Sequence, residues 1–290
     1  MSEADYFRVP VGTGALHVER YGFGGSPFLL LHGFATSAFL WRHVGPALAL
    51  QRATAFAVDM LGYGESDRPF AADFGITAQA SYLDLALTAL RVAKATIVGV
   101  DVGALAALRL AFDRPERVER LVLISPAPLR ELPAPEVREL QRASARYALT
   151  LNRSLLGAMP MFRDFLVAQV SDPERMPPTL VGRYLAPFLG REGLNHLQTL
   201  ARAIEDDELD DVVLEEVHHP TSVVRGSRDR QCDLRDAESY VRALPAGRYV
   251  EVPSVGRLIP EEAPSALVGI LVGEETAAAE AERGVKSAAG

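Results

Sequence analysis

Cysteine is nearly absent. A single thiol, Cys232, in 290 residues excludes an internal disulfide framework and suits a reducing compartment. It sits in a polar run with no motif around it and reads as an unremarkable surface or loop thiol. No apolar run approaches the roughly 20 residues that a bilayer-spanning helix needs. The start, Met1-Ser2-Glu3-Ala4-Asp5, is acidic and lacks the basic and apolar regions of a secretory leader. Together these features predict a cytoplasmic protein away from the membrane. A dense basic patch is missing too, and the net charge of −8 argues against nucleic acid and anionic lipid as partners. Lysine is rare: Lys94 and Lys286 are two of 30 basic residues, and the rest are arginine. With abundant alanine, that bias points to GC-rich bacterial coding. No phosphate loop or dinucleotide fingerprint occurs, and His218-His219 lacks further ligands at metal spacing. The expectation is therefore no cofactor and no metal, with a small-molecule substrate as the partner. Oligomeric state is not legible.

What is present is alternation. Phe7 to Val11 and Ala15 to Tyr21 read as short strands joined by the hairpin signal Gly12-Thr13-Gly14. Further strands are expected at Pro27 to Leu31, Ala53 to Val58, Ala95 to Val98, Arg120 to Ser125, Pro220 to Arg225 and Arg248 to Val252. Helical spacing marks Ser37 to Leu50, Gln79 to Val92, Gly103 to Phe112, Arg235 to Leu244 and Pro260 to Val272. Strands alternating with helices predict an α/β fold, a mostly parallel central sheet with helices on both faces. From Pro126 to His219 the chain has helical pieces broken by Pro and Gly and no strand pattern. The expected organisation is a core α/β domain in two parts, 5–126 and 220–273, with a helical cap, 127–219, inserted between them. The Ala- and Glu-rich tail, 274–290, has little to bury and reads as frayed or disordered.

Gly99-Val100-Asp101-Val102-Gly103 carries the most chemistry. A hydrophobic strand enters it and an Ala/Leu-rich helix leaves it, with small residues on both sides of one acidic side chain. That is the pattern of the nucleophile elbow, where a strained turn lifts one side chain from the sheet edge. The usual residue is Ser; here it is Asp. A carboxylate is already ionised at neutral pH and attacks carbon without help from a base.

Four more motifs stand in order along the chain: His32-Gly33-Phe34, Asp59-Met60-Leu61-Gly62-Tyr63-Gly64-Glu65-Ser66, Gly226-Ser227-Arg228-Asp229, and Gly256-Arg257-Leu258-Ile259-Pro260-Glu261-Glu262-Ala263-Pro264. With them the chain resembles the α/β-hydrolase superfamily over residues 5–273. An Asp at the elbow narrows the resemblance to epoxide hydrolases and haloalkane or haloacetate dehalogenases. The resemblance implies that Asp101 forms an alkyl-enzyme ester, that Asp229 is the triad acid, and that the Phe34 and Val102 N–H groups are the oxyanion donors. It also implies a histidine as second residue of the final motif, to activate water against the ester. That position holds Arg257. Arginine stays protonated and has no acceptor nitrogen. Loss of a general base costs on the order of 10²–10⁴ in rate. An ion pair of Arg257 with Asp101, Asp229 or both is expected instead.

The remaining candidates are substrate-binding. His32 lies in a motif where histidine is more often structural. Trp41 is the only tryptophan and doubles as a core candidate. Tyr147 and Tyr184 fall in the cap, where epoxide hydrolases place the tyrosines that protonate an opening oxygen. His196, near Leu194 to Ile204, is a candidate to reach into the cleft as a relocated base, with a packed role as the alternative. Dehalogenases place Trp after the nucleophile; Val102 there argues against halide release. The apolar cap residues Leu149, Leu151, Leu155, Met159, Met161, Phe162 and Phe165 suit either a hydrophobic substrate or packing of the cap. Three functions stay open. The first is a repurposed enzyme that cyclises, eliminates or rearranges a small apolar biosynthetic intermediate. The second is an epoxide-hydrolase-like enzyme with a relocated base, and the third a ligand-binding pseudoenzyme.

Overall fold

A computed structural model describes residues 4–128, 132–142, 162–189 and 192–273. Eight strands form one sheet: β1 (Asp5–Pro10), β2 (Ala15–Tyr21), β3 (Pro27–Leu31), β4 (Thr54–Val58), β5 (Ala95–Val100), β6 (Val118–Ile124), β7 (Thr221–Gly226) and β8 (Gly247–Val252). Their order is β1-β2-β4-β3-β5-β6-β7-β8. β2 runs antiparallel to β1 and β4, and β3 to β8 are parallel. β4 and β5 are buried along their whole length. That is why these strands read as continuous apolar runs rather than alternating ones.

From β3 the chain goes to β4 on one side and returns to β5 on the other, so β3/β5 is a topological switch point. In such sheets the crevice beyond the strands' carboxyl ends receives the ligand. His32 follows β3 there, and Asp101 follows β5 and opens helix α3 (Val102–Asp113; α1 is Val44–Leu50 and α2 is Ile76–Ala89).

Three helices differ from expectation. Ser37 to Leu50 divides into a 3₁₀ turn, Ala38–Trp41, and α1. Pro260 to Val272 divides into Ile259–Glu262 and Pro264–Val272, because Pro264 has no N–H to continue a helix. α2 begins three residues before the expected Gln79, because the Glu208 carboxylate accepts the N–H groups of Ile76 (3.0 Å) and Thr77 (3.1 Å). A cap supplied from so far along the chain leaves no local signal. Between β6 and β7 the described residues hold helices at Pro135–Gln141, 162–167, Pro178–Leu185 and Gly193–Arg202, and no strand. These helices form the insert between β6 and β7. Residues 274–290 and Tyr147, Leu149, Leu151, Leu155, Met159 and Met161 lie outside the described residues. Phe162 is buried and Phe165 is half-buried.

The start of α3 is packed against β3 and β5 at backbone distance. A Cβ on Gly103 would lie 2.4 Å from the His32 carbonyl oxygen, and one on Gly99 would lie 2.2 Å from the Gly103 carbonyl oxygen. No L side chain fits either place without moving backbone. Gly103→Ala is therefore expected to lower stability by about 3 kcal/mol, read as a fall in the urea midpoint at unchanged slope.

Candidate active site

Asp101 has φ 53° and ψ −119°, a conformation that costs a non-glycine residue on the order of 1–3 kcal/mol and persists only where its surroundings enforce it. Here they do. The Asp101 N–H donates to the Ile124 carbonyl on β6 (3.0 Å), and Gly33 lies against its Cβ. Both carboxylate oxygens are occupied. Phe34 N–H donates to Oδ2 (3.1 Å), and Arg257 Nη1 donates to Oδ1 (3.2 Å). Asp101 and Arg257 are each 4% exposed. Arg257 Nε lies 4.0 Å from Asp229 Oδ1, which accepts the N–H groups of Gln231 (2.8 Å) and Cys232 (3.2 Å). The guanidinium thus stands between two buried carboxylates.

The two loops reach each other because neither has a side chain at the crossing. A Cβ on Gly226 would lie 2.1 Å from the Gly256 carbonyl oxygen. That contact sets the turn after β7, which carries Asp229, against the turn after β8, which carries Arg257. Among the described residues, Arg257 Nε, Asp229 Oδ2 and the Ser125 hydroxyl are buried without a hydrogen-bond partner. Val102 N–H, first in α3, has no carbonyl four residues back to accept it. The site therefore keeps unspent donors beside a carboxylate.

Several expected residues are placed elsewhere. His32 is buried with both ring nitrogens committed: Nδ1 pairs with the Gly33 carbonyl (2.8 Å), and Nε2 accepts Met60 N–H (3.1 Å). It holds two loops and has no nitrogen left for substrate. Trp41 has no exposed surface and belongs to the core. Tyr184 is buried, and its hydroxyl donates to Glu261, whose carboxylate also binds Arg42 through two bonds of 2.6 Å. Burial and the Glu261 charge push that phenol well up, and its proton is committed to Glu261. His196 Nε2 pairs with the Gly62 carbonyl (2.8 Å) and its ring meets Phe74 edge-on. The contacts of its ring are to the loop after β4, and none is to Asp101. Tyr147 lies outside the described residues. Cys232 is buried rather than a surface thiol, and burial pushes it up to about 12.

Two residues escaped sequence reasoning. Tyr63 is buried with its ring edge-on to His32 (5.0 Å between centroids), and burial and the Asp101 charge raise its phenol. Ser125, at φ 47°, directly follows β6, the neighbour of the elbow strand. Neither has a signal beyond its place, after a strand or in a glycine-rich loop. Phe165 of the insert meets the ring of Phe34, whose N–H binds Asp101, edge-on at 6.1 Å.

The fold and this arrangement define a class. The chain belongs to the family described as alpha/beta hydrolase fold, which it matches over residues 26–264. It is 31% identical to a haloalkane dehalogenase of Mycobacterium marinum over 57% of this chain and 52% of that one. It is 31% identical to the dihydrolipoyllysine-residue acetyltransferase component of the acetoin cleaving system of Pseudomonas putida, over 84% of this chain and 62% of that one. Among other curated relatives the match covers as little as 29% of their length. Of solved structures, Cfl2 of Burkholderia cenocepacia superposes with a TM-score of 0.80 at 25% identity, covering 93% of this chain and 94% of that one. The epoxide hydrolase CorEH superposes with a TM-score of 0.82 at 22% identity, over 94% and 99%.

Two expectations follow from the titrating groups. Burial first, then charge, keeps the Cys232 thiol protonated. The native protein should resist a disulfide thiol reagent and react with it after unfolding, read as thiol release with and without urea. Burial lowers His32 and His196 from the ordinary histidine value. The unfolded chain therefore takes up protons first, and stability is complete above about pH 6.5 and falls below it. His17, raised chiefly by its hydrogen bond to Asp59, opposes this: its contribution is complete below about pH 6.5 and is lost as pH rises through its higher value. His196→Gln should flatten the fall in calorimetric Tm between about pH 7 and 5.

Proposed function

We propose that this chain is an enzyme of non-hydrolytic chemistry, in which Asp101 moves a proton on a small, largely apolar carbonyl compound. The observation that carries this is the guanidinium of Arg257 in contact with Asp101 and backed by Asp229. In the hydrolytic cycle of an Asp nucleophile, a neutral base must draw a proton from water at the ester. In this reading Arg257 stands in place of that base, and a guanidinium cannot take the proton. The bonds of His196 and Tyr184 to Gly62 and Glu261 argue against a relocated base or acid.

A carboxylate, a cation and two oriented amides suit enolisation. Asp101 removes a proton from the carbon next to a carbonyl, and the electron pair moves onto the carbonyl oxygen. As Asp101 gains that proton its charge disappears. Phe34 N–H and Arg257 then exchange a neutral acid for the developing oxyanion, with Val102 N–H as the second amide donor in this reading. The enolate expels a β leaving group or closes on an internal electrophile, and Asp101 returns its proton to the departing or newly formed oxygen. Phe34, Phe165 and the insert supply an apolar wall suited to the rest of the substrate.

Incubation with a panel of ketones and β-oxygenated esters in deuterium oxide tests this by mass spectrometry. Asp101-dependent deuterium uptake next to the carbonyl is expected, lost by a factor on the order of 10² or more in Asp101→Asn. An alkyl ester on Asp101 under epoxides or alkyl halides, turning over with ¹⁸O from water in the product, would overturn it.

A further inference from the structure

The side-chain bonds of Arg257 are few. Nη1 makes one hydrogen bond to Asp101, and Nε stands 4.0 Å from Asp229 and has no hydrogen-bond partner among the described residues. A long side chain with much rotamer freedom needs its backbone fixed to keep that pose. The insert supplies the fixing. The N–H groups of Arg257 and Leu258 both donate to the Gln169 carbonyl (2.8 and 3.2 Å). A Cβ on Gly256 would lie 2.6 Å from the same oxygen and 2.9 Å from the Val170 carbonyl carbon.

One buried acid closes this contact. Glu262, 6% exposed, accepts Gly256 N–H at Oε2 (2.6 Å), and at Oε1 it accepts Ser171 N–H (2.9 Å) and the Ser171 hydroxyl (2.5 Å). Arg175 Nη1 donates to the Glu262 carbonyl (2.9 Å). Three donors converge on one carboxylate from two segments, 171 on the insert and 256 beside the guanidinium. The adjoining Glu261 is spent on Arg42 and Tyr184, so among the described residues Glu262 is the side chain that joins the insert to residues 256–258.

We propose that Glu262 is a positioning residue: its carboxylate clamps residues 169–171 of the insert onto the turn of Arg257, and so holds the guanidinium between Asp101 and Asp229. Movement of the insert and placement of the cation are thereby one event. The inference rests on the reading of Arg257 as a working part of the site, but its test needs no turnover.

The variants are Glu262→Gln and Ser171→Ala. In the first, one carboxylate oxygen becomes an N–H₂ facing an N–H, so one arm of the clamp opens while shape is kept. In the second, only the hydroxyl bond is lost, which keeps the inference testable where the first variant folds poorly. The probe is the Nε–H resonance of Arg257 in ¹⁵N-labelled full-length protein, assigned by its absence in Arg257→Lys. Its exchange with water should quicken about tenfold in Glu262→Gln, the factor that loss of one hydrogen bond to a charged group represents, and less in Ser171→Ala. Val268→Ala, which opens a cavity in the last helix and lowers stability, should leave that exchange unchanged. Equal quickening in Val268→Ala, or none in either clamp variant, would overturn the inference. Failure of the proton-transfer reading would appear only in the deuterium-uptake assay.

Discussion

The ion pair of Asp101 with Arg257, with Asp229 behind it, is the constraint from which the rest of the site follows. Buried charges are costly unless paired and hydrogen-bonded. Each carboxylate here answers that cost with backbone N–H groups as well as the shared cation: Phe34 for Asp101, Gln231 and Cys232 for Asp229. Removing one partner of such a pair strands the other, at a cost of roughly 3–5 kcal/mol. The four loops that supply these residues are therefore interdependent. Gly99, Gly103, Gly226 and Gly256 stand where backbones touch, and Gly33 lies against the Asp101 side chain.

In the proposed reading, the electrostatics separate this site from one built on a titratable base. A histidine between two acids can lose and regain a proton near neutral pH. A guanidinium supplies a permanent charge and a fork of donors. The first arrangement suits activation of water, and the second suits stabilisation of an oxyanion. Relatives and structural neighbours named as a dehalogenase and an epoxide hydrolase share the scaffold, and a scaffold of this kind hosts many chemistries. Reaction type is set by a few side chains at the carboxyl ends of the strands.

Much of the fold was legible because its signals are local. β2 and β3 have the expected bounds, and the elbow lies where its small residues placed it, since apolar runs and glycine turns depend on near neighbours. Misreadings arose where a distant group intervened. Glu208 starts α2 early. Tyr184 looked like an acid for substrate because nothing in its own helix shows that Glu261 and Arg42 are waiting for it. His196 looked like a base because helical spacing does not show that the Gly62 carbonyl meets its ring. Cys232 sits among polar residues, yet the fold turns it inward beneath Asp229.

The sequence by itself determined the alternation of strands and helices, the elbow at Asp101, and the guanidinium at the second position of the last motif, because each is written in contiguous residues. The tertiary structure alone decided that this guanidinium faces both acids, that His32, Trp41 and Tyr184 are spent on the scaffold, and that Glu262 fastens the insert to the turn of Arg257. Those outcomes depend on which backbones come close enough to exchange hydrogen bonds, and the crossings of the chain set that distance.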